Sequence, residues 1–406
     1  MVKKTQDKKT DIITDRHETV SAMEPLLLSD GSRHRARLHD LALELVSRAS
    51  GFHRSLPESM RPAVADMVRA MNCYYSNLIE GHNTHPVDIE RALNGDYSGD
   101  AEKRNLQKEA RAHVAVQRWI DAGGVRAAAM TVTSLRTMHE KFCAELPEEL
   151  LRLTDAQIGG AVMVVPGEFR RQDVAVGRHI AISAGAVPRF MERFESAYAN
   201  LGRSETILAA AAAHHRFLWV HPFTDGNGRV ARLMSHAALL DVLDTGGLWS
   251  IARGLARRAA EYKTHLANCD LQRRNDLDGR GNLSEETLAE FTAFFLETCI
   301  DQVKFMEELM QPDRLRTRIL LWAEEEIRLN FMPVQAKQLL EILLYRGELP
   351  RGEVAGILNV TDRHARRIVA ALDSVISSAT PRSPLRLTFP AHLAARWMPG
   401  LFPEKN

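Results

Sequence analysis

Apolar residues recur at three- and four-residue spacing along most of the chain, and that period predicts amphipathic helices. Segments such as LHDLALELVSRA and PAVADMVRAMNCYYSNLIEG carry it from about Arg33 to Arg126. The stretch AVMVVPGEFRRQDVAVG breaks the pattern, because short β-branched runs around a Pro-Gly turn predict a two-stranded ribbon between Ala161 and Gly177. The helical period returns from Pro188. Ile207 to Val220, ILAAAAAHHRFLWV, is apolar nearly all round, which predicts a helix buried at the centre of its domain. Further helices follow to about Met310, broken by DLDGRGNLS, where Ser284 is placed to cap the next helix. A boundary falls near Gln311-Pro312-Asp313. Beyond it come three or four short helices and then PRSPLRLTF, whose alternating Leu385, Leu387 and Phe389 predict a small strand pair.

Length and composition narrow this picture. A chain of 406 residues exceeds what one hydrophobic core usually organises, so two or more packed units are expected. The 53 Lys and Arg nearly balance the 52 Asp and Glu, so any nucleic-acid site must be local rather than a property of the whole chain. Cys73, Cys143, Cys269 and Cys299 show no CxxC spacing and read as reduced thiols. No apolar run approaches the roughly 20 residues of a membrane span, and MVKKTQDKKTDIITD has no secretory apolar stretch. The expectation is a cytoplasmic protein with a disordered tail over residues 1–30 and no membrane partner.

The chemistry concentrates in His221-Pro222-Phe223-Thr224-Asp225-Gly226-Asn227-Gly228-Arg229-Val230-Ala231-Arg232. Two glycines flanking an asparagine let backbone approach a ligand, and the apolar-periodic segment that follows starts a helix there. Unpaired amides and the positive end of a helix dipole then converge on one point, which suits phosphate oxygens. Arg229 and Arg232 lie three apart on one helical face, where both can reach outer phosphates. Asp225 is an awkward neighbour for phosphate unless a cation such as Mg²⁺ lies between them. His221, at the end of the buried helix, is placed to take a proton from an incoming hydroxyl. A metal site built from His214, His215 and His221 is the competing reading; it lacks HExxH-like spacing, and adjacent histidines on one helix cannot face the same way.

These twelve residues resemble the signature of the Fic family, H-x-F-x-[D/E]-G-N-G-R-x-x-R, at every fixed position. Eight such matches arise by chance on the order of 10⁻¹⁰ per starting position. The resemblance implies a mainly α-helical Fic-type domain with a small β-hairpin flap. It further implies transfer of AMP from ATP, with Mg²⁺, onto a Tyr, Thr or Ser hydroxyl of a target protein or of the chain itself. In that scheme His221 is the base and Asp225 the Mg²⁺ ligand. Gly226, Asn227 and Gly228 cradle phosphate, Arg229 and Arg232 hold the outer phosphates, and Tyr262 lies near the adenine. Val174, Ala175, Val176 and Gly177 resemble the flap that adds a target segment as a strand.

Upstream, Ser76-Asn77-Leu78-Ile79-Glu80-Gly81 resembles the family's inhibitory segment, [S/T]-x-x-x-E-[G/N]. Ser76 and Glu80 share a helix face, Gly81 ends that helix, and a carboxylate aimed at the arginine pair competes with the γ-phosphate. In some relatives the same Glu supports the reverse reaction, removal of AMP.

From Ala336, QLLEILLYRGELPRGEVAGILNVTDRHARRIVAALDS reads as three helices with tight turns, the last capped by Thr361. The compact apolar pattern is that of a helix-turn-helix with the strand pair as its wing, and it resembles the winged-helix unit attached to many Fic proteins. Arg363, Arg366 and Arg367 lie along the candidate recognition helix, which makes DNA a candidate partner. The expected organisation is a helical region over 31–130 carrying the inhibitory helix, a catalytic core over 131–310 and a winged helix over 313–400. The alternative function is a DNA-binding transcriptional regulator whose Fic domain senses a nucleotide, with weak or reverse transfer activity. A homodimer through the N-terminal helices is compatible with the pattern but has no residue signature.

Overall fold

Few positions of ILAAAAAHHRFLWV are polar, and the helix they form, Arg203–Val220, is buried along almost its whole length. Its alanines let neighbouring backbones approach, and the helix Val187–Tyr198 packs on it through Phe190, Met191 and Phe194, all fully buried. The computed structural model describes residues 13–155, 160–243 and 245–403. It is mainly helical, and its few strands are short. Among the described residues no helix is long and apolar enough to cross a membrane.

Contacts divide the chain into two compact units that do not follow chain order. The first combines 1–38, 127–238 and 260–293. Besides the buried helix it holds the helix Val132–Ala144, capped by the Thr131 side chain on the Ser134 amide, and the start of the helix Asn227–Leu243. Two antiparallel ribbons interrupt the helices. Arg152–Asp155 pairs with Gly160–Met163, and Ala175–Val176 pairs with His179–Ile180 around a two-residue turn, with Gly177 at φ +61°. The ribbon expected between Ala161 and Gly177 is therefore replaced by two. Its two runs pair with other partners because the Val165-Pro166-Gly167-Glu168 turn leads into Arg170, whose backbone N–H bonds the Pro222 carbonyl at 2.9 Å and turns the chain inward.

Of the stretch expected as a disordered tail, residues 1–12 lie outside the described residues, whereas 13–30 are folded against this unit. Arg189 holds both oxygens of Asp15 at 2.6 and 2.9 Å, and Glu18 accepts from the Ser183 amide and hydroxyl at 2.8 and 2.6 Å. Gly185 permits the approach: a Cβ there would lie 2.7 Å from that of Asp15. The period that predicts helices carries no sign of such pairing, which depends on charges 165 and more residues away.

The second unit combines 39–126, 239–259 and 294–406. The helix Arg61–Ile79 lies at its centre against Ile251–Arg257 and Ala101–Asp121. Asn72 takes a hydrogen bond from the Ser250 hydroxyl and donates to Gln117. Later come the helices Gln335–Arg346 and Asp362–Ala370, the short helix Val354–Ile357 and a three-stranded antiparallel sheet. Leu385–Leu387 is the central strand, between Glu348–Leu349 and Ile376–Ser377. The chain end then returns to the earlier helices, with the Tyr75 hydroxyl bonding the Leu401 carbonyl at 3.1 Å and Trp397 fully buried.

Candidate functional site

His221 terminates the buried helix as its C-cap in the left-handed conformation, φ +51°, ψ +60°. That geometry is uncommon for a residue with a Cβ and turns the chain sharply at the helix end. Five residues later Gly226, at φ +78°, opens the helix Asn227–Leu243, whose first bond runs from the Val230 amide to the Gly226 carbonyl. The amides of Gly226, Asn227 and Gly228 precede that bond, so the helix supplies them no carbonyl.

One side chain closes the turn. Asn227 accepts from the Phe223 amide at 2.9 Å and donates to the Phe223 carbonyl at 2.8 Å, so both ends of its amide are bonded to the backbone of one residue. Phe223 is fully buried and stacks on His139, with ring centres 4.0 Å apart and planes 6° from parallel. His139 Nδ1 accepts from the Gly167 amide at 2.9 Å, which leaves Nε2 to donate to the Asp225 carbonyl at 3.2 Å. Burial pushes the His139 pKa down to about 4, consistent with a neutral ring in that tautomer.

Asp225 points outward with half its side chain exposed, and its carboxylate lies 3.9 Å from Arg229. The Arg229 guanidinium also sits over the Phe142 ring, 5.1 Å from its centre. Arg229 and Arg232 are both buried, one turn apart. His221 itself is only partly exposed. Burial, with the charge of Arg170, pushes its pKa down to about 4, against the opposing influence of the Leu218 backbone. It is thus neutral at physiological pH, with one nitrogen left to accept a proton.

A histidine at the end of a buried helix, an asparagine-locked turn and a helix start carrying two arginines are the parts the motif predicts, and residues 130–239 match the family model described as Fic/DOC. The chain carries a Fic domain. The protein adenylyltransferase Fic of Drosophila sechellia is 38% identical over 96 residues, 23% of this chain and 19% of that protein. The Culex quinquefasciatus protein of the same name matches at 38% over the same share of each. The chain thus spans about a fifth of the length of these curated relatives. Among solved structures, a Fic family protein from Desulfovibrio desulfuricans superposes with a TM-score of 0.52 at 18% identity, over 89% of this chain and 98% of that one. A Fic-1 fragment from C. elegans gives 0.50 at 15% identity, over 68% and 74%. At these identities the likeness is one of fold.

Other predicted residues stand as follows. Ala175 and Val176 form the first strand of the hairpin expected as the flap and are exposed, with Val174 before it and Gly177 in its turn. Tyr262 is buried, and its hydroxyl bonds His214 Nε2 at 2.7 Å. His214 Nδ1 bonds the Ser235 hydroxyl at 2.9 Å, and Ser235 donates to the Ala231 carbonyl, so Tyr262 and His214 brace the motif helix of the Fic domain. In the second unit, Ser76 is fully buried in Arg61–Ile79 and Glu80 is that helix's C-cap, followed by Gly81 at φ +90°. Arg363, Arg366 and Arg367 are all exposed on Asp362–Ala370.

Sequence reading does not single out His139, Arg170, His179 or Asp270, and it names His215 only in the competing metal reading. Arg170 is 3% exposed and bonds only carbonyls with its guanidinium: His221 at 2.8 Å, Gln172 at 2.8 Å, Ile182 at 2.5 Å and Val220 at 3.4 Å. Burial pulls its pKa down to about 10, which still leaves it charged. Asp270 joins His179, 3.4 Å away on the flap, to His215 at 3.1 Å on the buried helix. His215 and Arg216 beside it otherwise serve packing: Arg216 donates to His215 Nδ1 and to the Pro25 carbonyl.

Proposed function

We propose that the chain is a protein adenylyltransferase that moves AMP from MgATP to a Tyr, Thr or Ser hydroxyl of a protein partner or of itself. The observation that carries this reading is the Asn227–Phe223 closure, which brings a neutral His221 and the unpaired amides of a helix start to opposite ends of one turn. Similarity over 96 residues to proteins named adenylyltransferase supports it.

The residues present fit the two groups this reaction needs. A hard divalent cation takes oxygen ligands, and the outward carboxylate of Asp225 beside Arg229 offers one where negative phosphate would otherwise be repelled. The amides of Gly226 to Gly228 and the positive end of the following helix suit phosphate oxygens, with Arg229 and Arg232 one turn further on. Bound Mg²⁺ would supply charge neutralisation of the phosphates and leaving group.

His221 accepts the proton of the incoming hydroxyl as its oxygen bonds the α-phosphorus; the bond to the β-phosphate oxygen breaks and pyrophosphate leaves. Arg229 and Arg232 stabilise that departing charge. The exposed flap strand Ala175–Val176 lines up the target by main-chain bonds. Glu80 restrains the reaction, a reading that rests on the inhibitory-segment pattern. Incubation of the Glu80→Gly protein with α-labelled ATP and Mg²⁺, with and without His221→Ala, tests the proposal. Label that disappears with His221→Ala is the expected result; ATP binding without label overturns it.

A second reading, a DNA-binding regulator, is favoured by one observation: Arg363, Arg366 and Arg367 are exposed on a single helix preceded by a tight turn, with Asn359 at φ +50°. Here the Fic domain would sense a nucleotide, and His221→Ala would leave duplex binding intact.

A further inference from the structure

A helix leaves its last carbonyls without partners, and the helix Arg203–Val220 ends at the proposed base. Four consecutive carbonyls there are all taken by donors from the flap segment. Trp219 accepts from His179 Nε2 at 2.8 Å, Val220 from Arg170 Nη2 at 3.4 Å, His221 from Arg170 Nε at 2.8 Å and Pro222 from the Arg170 amide at 2.9 Å. Arg170 also bonds the Gln172 carbonyl before the hairpin and the Ile182 carbonyl after it, so one guanidinium ties both flap stems to the helix end. Arg170 is cationic, and so is His179 when protonated. His179 faces acceptors on each side, the Trp219 carbonyl at Nε2 and the Asp270 carboxylate at Nδ1, 3.4 Å away, so a proton on each nitrogen is favoured. Two cations at a helix C-terminus meet the negative end of its dipole.

We propose that Arg170 and His179 are positioning residues that clamp the flap to the backbone of His221, so that a protein target docked on the flap strand is held in register with the base. The proposal rests on the adenylyltransferase reading, and it adds a regulation by pH. The charged and titratable groups facing His179 are Asp270, His215 and His221 from the buried helix and its cap, Arg170 from the flap stem, and Arg273 across a cavity of about 610 Å³. Burial lowers the His179 pKa, but the bond and charge of Asp270 outweigh it and the net shift is upward. The clamp is therefore complete while His179 is protonated, a state the upward shift extends to higher pH than in an ordinary histidine, and it loses its Asp270 bond as His179 deprotonates.

The test uses the full chain and two readouts. Amide hydrogen exchange over 174–181, corrected for the intrinsic pH dependence, is followed from pH 6 upward in wild type, His179→Gln and His179→Phe. Wild type is expected to lose flap protection by about tenfold as pH rises, the scale of one hydrogen bond. His179→Gln, which keeps an N–H donor but cannot titrate, is expected to show no such step, and His179→Phe to be unprotected throughout. In AMP transfer, measured in the Glu80→Gly background, His179→Gln is expected to remove the alkaline fall, with ATP affinity unchanged. Arg170→Lys is expected to recover part of the transfer lost in Arg170→Met. Equal flap protection in wild type and His179→Phe overturns the clamp, as does an alkaline fall that persists in His179→Gln. Absence of transfer in the Glu80→Gly protein at every pH sinks the adenylyltransferase reading instead, and the exchange measurement still decides the clamp.

Discussion

The side-chain amide of Asn227 bridges both backbone polar groups of Phe223, accepting from its N–H and donating to its C=O. No other amino acid of that length offers a donor and an acceptor at once, which is why the turn needs asparagine and not aspartate. Asn227→Ala leaves a buried donor and acceptor unpaired, at about 1–3 kcal/mol for such groups. Urea unfolding should register that loss, and transfer should fall further than stability, because the turn also carries the phosphate amides. Unchanged unfolding midpoint and activity would falsify the lock.

His221 is held neutral down to about pH 4. As the base it stays competent well below the pH where an ordinary histidine would protonate. Transfer measured under single-turnover conditions should therefore not fall between pH 7 and about pH 5.5. A break near 6.5 would assign the base to another group.

Acid should loosen the first unit early. His139, His214, His215 and His221 all have folded pKa values pushed below 6.5 by burial. As pH falls through 6.5 the unfolded chain binds protons that the folded chain refuses, so stability drops from about 6.5 down to the folded values, by up to about 1.4 kcal/mol per pH unit for each histidine. His179 has the opposite sign: its contribution is full below 6.5 and is lost as pH rises through its raised value. Urea midpoints at pH 7, 6 and 5 check the balance, and a midpoint that rises toward pH 5 contradicts it.

Removing the carboxylate from the inhibitory segment should raise self-modification. Glu80 is the C-cap of Arg61–Ile79 and Gly81 already supplies the positive φ, so Glu80→Gly leaves the helix end intact. Mass spectrometry of the protein after incubation with MgATP reads the result; equal AMP incorporation by wild type and variant removes Glu80 from the regulation.

Replacing Arg363, Arg366 and Arg367 by Gln should change stability by less than about 0.5 kcal/mol, since all three are exposed. If the helix binds duplex DNA, affinity should fall and the slope of binding against salt should shrink. Absence of binding by wild type at low salt would leave AMP transfer as the sole reading.

Local pattern was enough for much of this. The helical period foretold the buried helix seen at Arg203–Val220, and residue type named Thr361 as a cap, both found in place. Ser284 likewise accepts from the Thr287 amide as a cap should. What failed was pairing at a distance. Residues 161–177 have strand propensity, but propensity names no partner, and the two runs pair with Arg152–Asp155 and with His179–Ile180.

The sequence by itself determined the chemical parts of the Fic loop, because they are contiguous: a histidine, a glycine-asparagine-glycine turn and two arginines act through spacing that a helix and a turn translate directly. Only the tertiary structure decided how that loop is held. Arg170 lies 51 residues from the carbonyl of His221, and His139 lies 86 from that of Asp225. Neither sits in a pattern of its own, since a single arginine or histidine in a helical or extended segment reads the same whether it is solvated or buried against backbone. Their roles arise from burial, which leaves the carbonyls at a helix end without water and makes any nearby donor a structural necessity.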